Sequence, residues 1–181
     1  MIFNELSVDG AVLIEPECHE DSRGFFARTR DRRIFEERGL TSDFVQCSIS
    51  YSRTKGTLRG MHYQVPPHEE VKLARCTRGH LYDVIIDLRP DSHTFQDHVG
   101  VELTADSRAA LYVPKGCAQG FLTLEDATEV FYQISEYYAP EATRGVRYDD
   151  PAFDIDWPAP VEVIKDRDAN YPDFEPEQVD H

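Results

Sequence analysis

The sequence predicts an all-β protein, an antiparallel sandwich or barrel with a few short peripheral helices, and two observations carry that prediction. Short apolar segments rich in β-branched and aromatic residues recur between Gly, Pro and Asp breaks, and no helical stretch between them is long enough to serve as a crossover. The segments run from Gly10 to Ile14, Leu81 to Leu88, Val99 to Leu103, Ala110 to Val113, Gly120 to Leu124 and Glu129 to Ile134. The clearest helix spans Asp31 to Arg38: Asp31 can cap it, Ile34 and Phe35 form its apolar patch, and Gly39 can close it. After Trp157 the tail is rich in Pro and acidic residues and reads as loops, with one turn of helix, laid over the barrel.

The chain has 181 residues, 40% hydrophobic and 11% aromatic, which suits one domain with one core. We expect the barrel core at about residues 40–140, with the N- and C-terminal segments packed on it. No stretch approaches the roughly 20 apolar residues of a membrane span, and Met1 to Glu5 lacks the character of a signal peptide, so a cytoplasmic protein is expected. Cys18, Cys47, Cys76 and Cys117 have no C-x-x-C spacing, which points to free thiols rather than a zinc ribbon or a redox pair. A net charge of −15 argues against nucleic acid as a partner, because a phosphate backbone needs a basic surface. It leaves room for a small anionic ligand held by a few local arginines.

The run from Thr57 to Leu73, T-L-R-G-M-H-Y-Q-V-P-P-H-E-E-V-K-L, gathers Arg59, His62 and Lys72 around an aromatic and two prolines. As a strand, Leu58 to Gln64 alternates to put Leu58, Gly60, His62 and Gln64 on one face. Taken alone, a histidine there is more often a hydrogen-bonded core residue than a catalytic one. Metal-binding cupin barrels carry H-x-H followed by Glu, then a second histidine after P-x-G-x-x. Here the matching positions are His62 and Gln64, with Glu69 or Glu70 beyond, and Gln119 after Pro114 to Ala118. Amides bind first-row metals weakly compared with imidazole, so no metal is expected.

Taken in order, D-S-R-G-F-F (21–26), F-V-Q (44–46), L-R-G-M-H-Y-Q (58–64), Lys72-Leu73, Arg78-Gly79, the stretch from Asp83 to Arg89, Ser92 with Thr94-Phe95, P-K-G (114–116), Gly120-Phe121, Tyr132, Tyr137-Tyr138, Arg144-Gly145 and the stretch from Asp149 to Pro158 resemble the successive motifs of the dTDP-4-dehydrorhamnose 3,5-epimerase family. The resemblance covers nearly the whole chain. It implies a cupin-like jelly-roll barrel, a homodimer, and a pocket for a nucleotide diphosphate joined to a 4-keto-6-deoxyhexose. It also implies roles: His62 as general base, Asp166 of the Lys165-Asp166 pair orienting its imidazole, Lys72 stabilising an enolate, and Tyr132 as the acid on the opposite face. Arg23, Phe26, Arg28, Gln46, Ser48, Arg59, Gln119 and Tyr138 are the expected substrate-binding residues, with Arg23 and Arg59 suited to the diphosphate. The chemistry agrees, since a ketone at C4 acidifies the protons on C3 and C5. Inversion then needs a base, an electrophile for the oxyanion and a donor across the ring, and with the substrate's own carbonyl as electron sink no organic cofactor is expected. Together, His62, Asp166 and Tyr132 disfavour the competing reading, a non-catalytic ligand-binding cupin.

Three positions depart from the family pattern: Arg28 stands where Glu is usual, Ser48 where Asn is usual, and Gln119 where the G-F-A-H-G-F motif has His. An Arg in place of a Glu against the base would invert one hydrogen-bond polarity. A single-centre epimerase on another nucleotide sugar, such as a CDP-sugar, is therefore the alternative substrate reading.

Overall fold

The computed structural model describes residues 1–176. Its strands in chain order are β1 (Ile2–Glu5), β2 (Val12–Glu15), β3 (Cys18–Asp21), β4 (Gly24–Ala27), β5 (Gln46–Ser52), β6 (Leu58–Gln64) and β7 (Lys72–Arg78). Then follow β8 (His80–Asp87), β9 (His98–Thr104), β10 (Ala110–Val113), β11 (Cys117–Thr123), β12 (Thr128–Ile134) and β13 (Thr143–Gly145); the helices are α1 (Arg32–Glu37) and α2 (Asp166–Ala169). The named strands pair antiparallel into a six-stranded sheet, β1-β2-β10-β7-β12-β5, a five-stranded sheet, β13-β6-β11-β8-β9, and the separate hairpin β3–β4. The expected cupin-like jelly-roll barrel is the fold found. The sheets recruit β1, β2 and β13 from outside residues 40–140, with β2 paired directly to β10.

Between the sheets lies the main core: Ala74, Leu111, Val113 and Val130 from one, Leu81, Ile85, Leu103, Cys117 and Phe121 from the other. Both sheets also bury their outer faces. Helix α1 lays Phe35 on Val12, Ile14, Leu73 and Tyr112 of the six-stranded sheet. On the five-stranded sheet, Met61, Val84, Ile86 and Ala118 are covered by Val146, Phe153, Ile155, Trp157 and Phe174 of the tail. Burial on both faces explains why Val84, Ile85 and Ile86 of β8 and Phe121 and Leu122 of β11 are consecutive apolar residues rather than alternating ones. It also ties the tail to the barrel, which sets α2 beside β6.

Local rules fix the small elements. The Asp31 carboxylate accepts from the Arg33 amide at 3.1 Å, as an N-cap should, and Gly39 follows the helix at φ +70°. The Asp87 carboxylate gathers the Arg89 guanidinium and the Ser92 and Thr94 hydroxyls. Burial alone would raise its pKa, but these donors hold it down at about 2. The Asp87–Thr94 motif therefore braces a loop.

Candidate active site

His62 enters a cleft from β6, in the five-stranded sheet, while Lys72 and Tyr132 enter from β7 and β12, in the six-stranded one. Two adjoining cavities share the His62 side chain. One, of about 490 Å³, is lined by Ser50, Arg59, Tyr132, Lys165, Arg167 and Asp168; the other, of about 200 Å³, by Gln46, Glu70, Lys72, Tyr138 and Arg167. Arg59 and His62 reach the same cavity although strict alternation would put them on opposite faces. The reason is a register slip: Arg59 pairs with Phe121 and His62 with Gln119, so three steps along β6 match two along β11.

The imidazole Nε2 of His62 lies 2.9 Å from Asp168 Oδ1, and its side chain is 29% exposed against 5% for Asp168. This corrects the expectation for Asp166, which begins α2 with an exposed side chain, whereas Asp168, two residues on, is buried and faces the imidazole. The reason is helical geometry. Neighbours two positions apart on a helical turn point in nearly opposite directions, so only one carboxylate of D-R-D can face β6. With Nε2 donating to the carboxylate, the imidazole lone pair is on Nδ1. Burial lowers the His62 pKa from 6.5; Asp168 pulls it up, while Lys72 and Arg167 push it further down, and the net is a decrease. The imidazole is thus held toward its neutral form.

Lys72 is nearly buried, pairs with Glu70 at 3.0 Å and donates to the His62 carbonyl at 3.0 Å. Tyr132 is partly buried, and burial pushes its phenol above the ordinary value, with the Asp83 carboxylate adding to the effect. Asp83 itself, fully buried on β8, was not anticipated as a site residue. Burial raises it to about 7 against the opposing pull of Gln119 and Lys72. Gln119 donates to both of its oxygens, at 2.9 and 3.0 Å, so the amide standing where the family motif has histidine anchors a carboxylate in the barrel interior. Arg167 is the other residue the sequence reading missed. Its Nε is 3.3 Å from Asp168 Oδ1 and its Nη2 is 3.3 Å from His62 Nε2.

Other expected ligands divide into two groups. Gln46 and Tyr138 border the smaller cavity, where Gln46 accepts from the Tyr138 amide at 2.9 Å; Ser48 is opposite Tyr132 in the β5–β12 register; and Arg59 donates to Ser52 and to the Tyr51 carbonyl. Arg23, Phe26 and Arg28 are elsewhere. Arg23 is bound to Asp21 with its side chain 87% exposed, Phe26 is exposed, and Arg28 pairs with Asp31 at 3.3 Å beside a small cavity lined by Met1, Glu17, His19 and Ile34. None of the three lines the cavities around His62.

Comparison with known proteins agrees with this geometry. The family model for dTDP-4-dehydrorhamnose 3,5-epimerase matches residues 5–176. A dTDP-4-dehydrorhamnose 3,5-epimerase of Methanothermobacter thermautotrophicus is 41% identical over 172 residues, covering 93% of this chain and 92% of its own. The crystal structure of the enzyme of that name from Elizabethkingia anophelis superposes with a TM-score of 0.95 at 35% identity, covering 99% and 98% of the two chains. A 3'-monoepimerase from Streptomyces bikiniensis, solved with dTDP-quinovose, is also similar, at a TM-score of 0.86 and 34% identity over 93% of this chain and 85% of its own. With a matched model over almost its entire length, relatives at about 40% identity, and a histidine–carboxylate pair facing a tyrosine across one cleft, the chain belongs to the dTDP-4-dehydrorhamnose 3,5-epimerase family.

Proposed function

We propose that the protein is an epimerase that inverts C3, C5 or both of a dTDP-linked 4-keto-6-deoxyhexose through an enolate. One observation carries the reading: a carboxylate-held imidazole and a phenol line the same cavity from opposite sheets, so a sugar ring between them is flanked by a base on one face and a donor on the other. His62 Nδ1 takes the proton α to the ketone, Asp168 stabilises the imidazolium through Nε2, and Lys72, which lines the adjoining cavity beside His62, supplies the cation for the oxyanion. Tyr132 delivers a proton to the opposite face and regains one from solvent. The relatives described above favour dTDP over the CDP alternative, and Arg28, paired with Asp31, lends that alternative no support from within one chain.

The enzyme works as a homodimer on this reading, and two apolar surfaces support it. Edge strand β5 exposes Ile49 and Tyr51, and the β3–β4 hairpin exposes Phe25 and Phe26. A two-fold pairing that covers them would also bring Arg23, Phe26 and Arg28 of one copy toward the cleft of the other. That arrangement reconciles their expected role with their distance from His62. Free thiols at all four cysteines fit a reducing, cytoplasmic setting. Among the described residues no helix is long and apolar enough to cross a membrane.

The direct test is solvent exchange. In deuterated water the native enzyme should wash deuterium into C3, C5 or both of a dTDP-4-keto-6-deoxyhexose. His62→Ala should lose that exchange by a factor of about 10² to 10⁴. Tyr132→Phe should keep exchange at the abstracted position while losing inversion. Exchange that survives undiminished in His62→Ala would refute the assignment of the base.

A further inference from the structure

Asp168 offers one oxygen to two donors. Oδ1 is the atom 2.9 Å from His62 Nε2, and it is also the atom 3.3 Å from Arg167 Nε. The Arg167 fork then continues to the imidazole, with Nη2 at 3.3 Å from Nε2. If Nε2 carries the proton that Asp168 accepts, a guanidinium N–H cannot also donate to it. The contact between Arg167 and His62 is then an approach of two cationic groups whenever the imidazole is protonated, with the shared carboxylate as the only compensation.

We propose that Arg167 is a tuning residue for the base: by taking part of the Asp168 carboxylate and lying against the imidazole edge, it keeps His62 unprotonated. The proposal rests on His62 acting as the base. The other groups around the imidazole do not make Arg167 redundant. Lys72, from β7, is already paired with Glu70, and Tyr171 presents a ring edge to the imidazole at 6.4 Å between centroids. Arg59 and Tyr132 lie across the larger cavity, and Gln119 is the register partner on β11. Only Arg167, among these, touches both members of the His62–Asp168 pair. Its side chain is 47% exposed, so solvent weakens its field and the effect is one of adjustment rather than of an on–off control. Lowered basicity has a function here. A base that is protonated in part of the population leaves that part of the enzyme idle, and a dianionic ligand favours protonation of any imidazole near it. A cation fixed beside the imidazole opposes both.

The test is the titration of the His62 imidazole in the ligand-free protein by proton–nitrogen NMR, assigned by its loss in His62→Ala. Arg167→Gln should raise the His62 pKa by about half a unit, the size expected of a partly exposed charge contact. Arg167→Lys, which keeps the charge, should recover most of the native value. The acid limb of kcat/KM should move upward in Arg167→Gln by the same amount as the NMR titration. A contact between Arg167 and substrate would instead change KM at every pH and leave the limb in place. Arg167→Met serves as a second charge-removing variant should Arg167→Gln fail to fold. An unchanged or lowered His62 pKa in either variant overturns the proposal. Because the titration needs no substrate, its outcome is independent of the exchange experiment that tests the epimerase reading.

Discussion

The barrel and the β3–β4 hairpin hold the expected site residues in opposite ways. His62, Lys72 and Tyr132 stand on strands paired on both sides, at cleft positions that register fixes. Arg23, Phe26 and Arg28 stand on or beside a two-stranded hairpin that pairs with neither sheet and leaves its phenylalanines exposed. Paired strands deliver side chains to defined points because every residue's face is set by its neighbours' hydrogen bonds. A lone hairpin has no such frame within its own chain. The same family motif can therefore mark a residue placed by this chain's barrel, or one that this chain alone leaves away from the cleft.

The barrel half of this contrast is tested most severely at α2. Asp168→Asn should lower kcat by about 10² or more, since an imidazole without its carboxylate loses both its tautomer and the stabilisation of its protonated form. Asp166→Asn, changing an exposed carboxylate, should stay close to native. Equal losses in the two variants would mean that the helix sits differently from the geometry described. The hairpin half is tested by mixing. Arg23→Ala and His62→Ala should each be weak alone, yet unfolded and refolded together they should recover about a quarter of native activity. Half the dimers would then be mixed, with one intact cleft in each. Recovery no greater than the two parents' sum removes the second copy from the site.

The smallest effect expected is in pH. A histidine whose folded pKa lies below 6.5 binds fewer protons when folded than when unfolded between those two values. Its contribution to stability therefore falls as pH drops through that window and is unaffected above it. The free base persists to the same folded pKa, so the acid limb of kcat/KM should fall below pH 6.5. A limb above 6.5 that disappears in a Tyr132→Phe background would assign the titration to another group.

Much of this was legible in the chain. Strand β6 has the bounds the alternation predicts and β10 those of its apolar run, and α1 starts at its cap, because local pairing and capping rules act on neighbouring residues. Strand β7 escaped detection: its sequence K-L-A-R-C-T-R carries three charges, and only its place between β10 and β12 explains them. Choosing Asp168 over Asp166 required the orientation of a single helical turn, which is set by the tail's packing on the five-stranded sheet. Asp83 left a trace in L-Y-D-V-I-I-D, an acid on the inward face of an apolar strand, but its raised pKa depends on burial that no single strand reveals. Arg167 left none.

The seam between β6 and β11 limits how this enzyme can be remodelled. A Cβ on Gly60 would stand 2.4 Å from the Gly120 Cα, and one on Gly120 would stand 2.8 Å from the Gly60 Cα. Each glycine is the room the other needs, and the contact lies between the backbones that carry His62 and Gln119. Adding even a methyl at either position displaces β6 itself, so selection for a new substrate cannot work along this line without also moving His62. Beside it, Ser48 and Ser50 on β5 are small, not fully buried, and placed where a larger side chain would reshape the approach to Tyr132 while the seam stays closed. Adaptability and fixity are thus divided between an edge strand and a glycine pair.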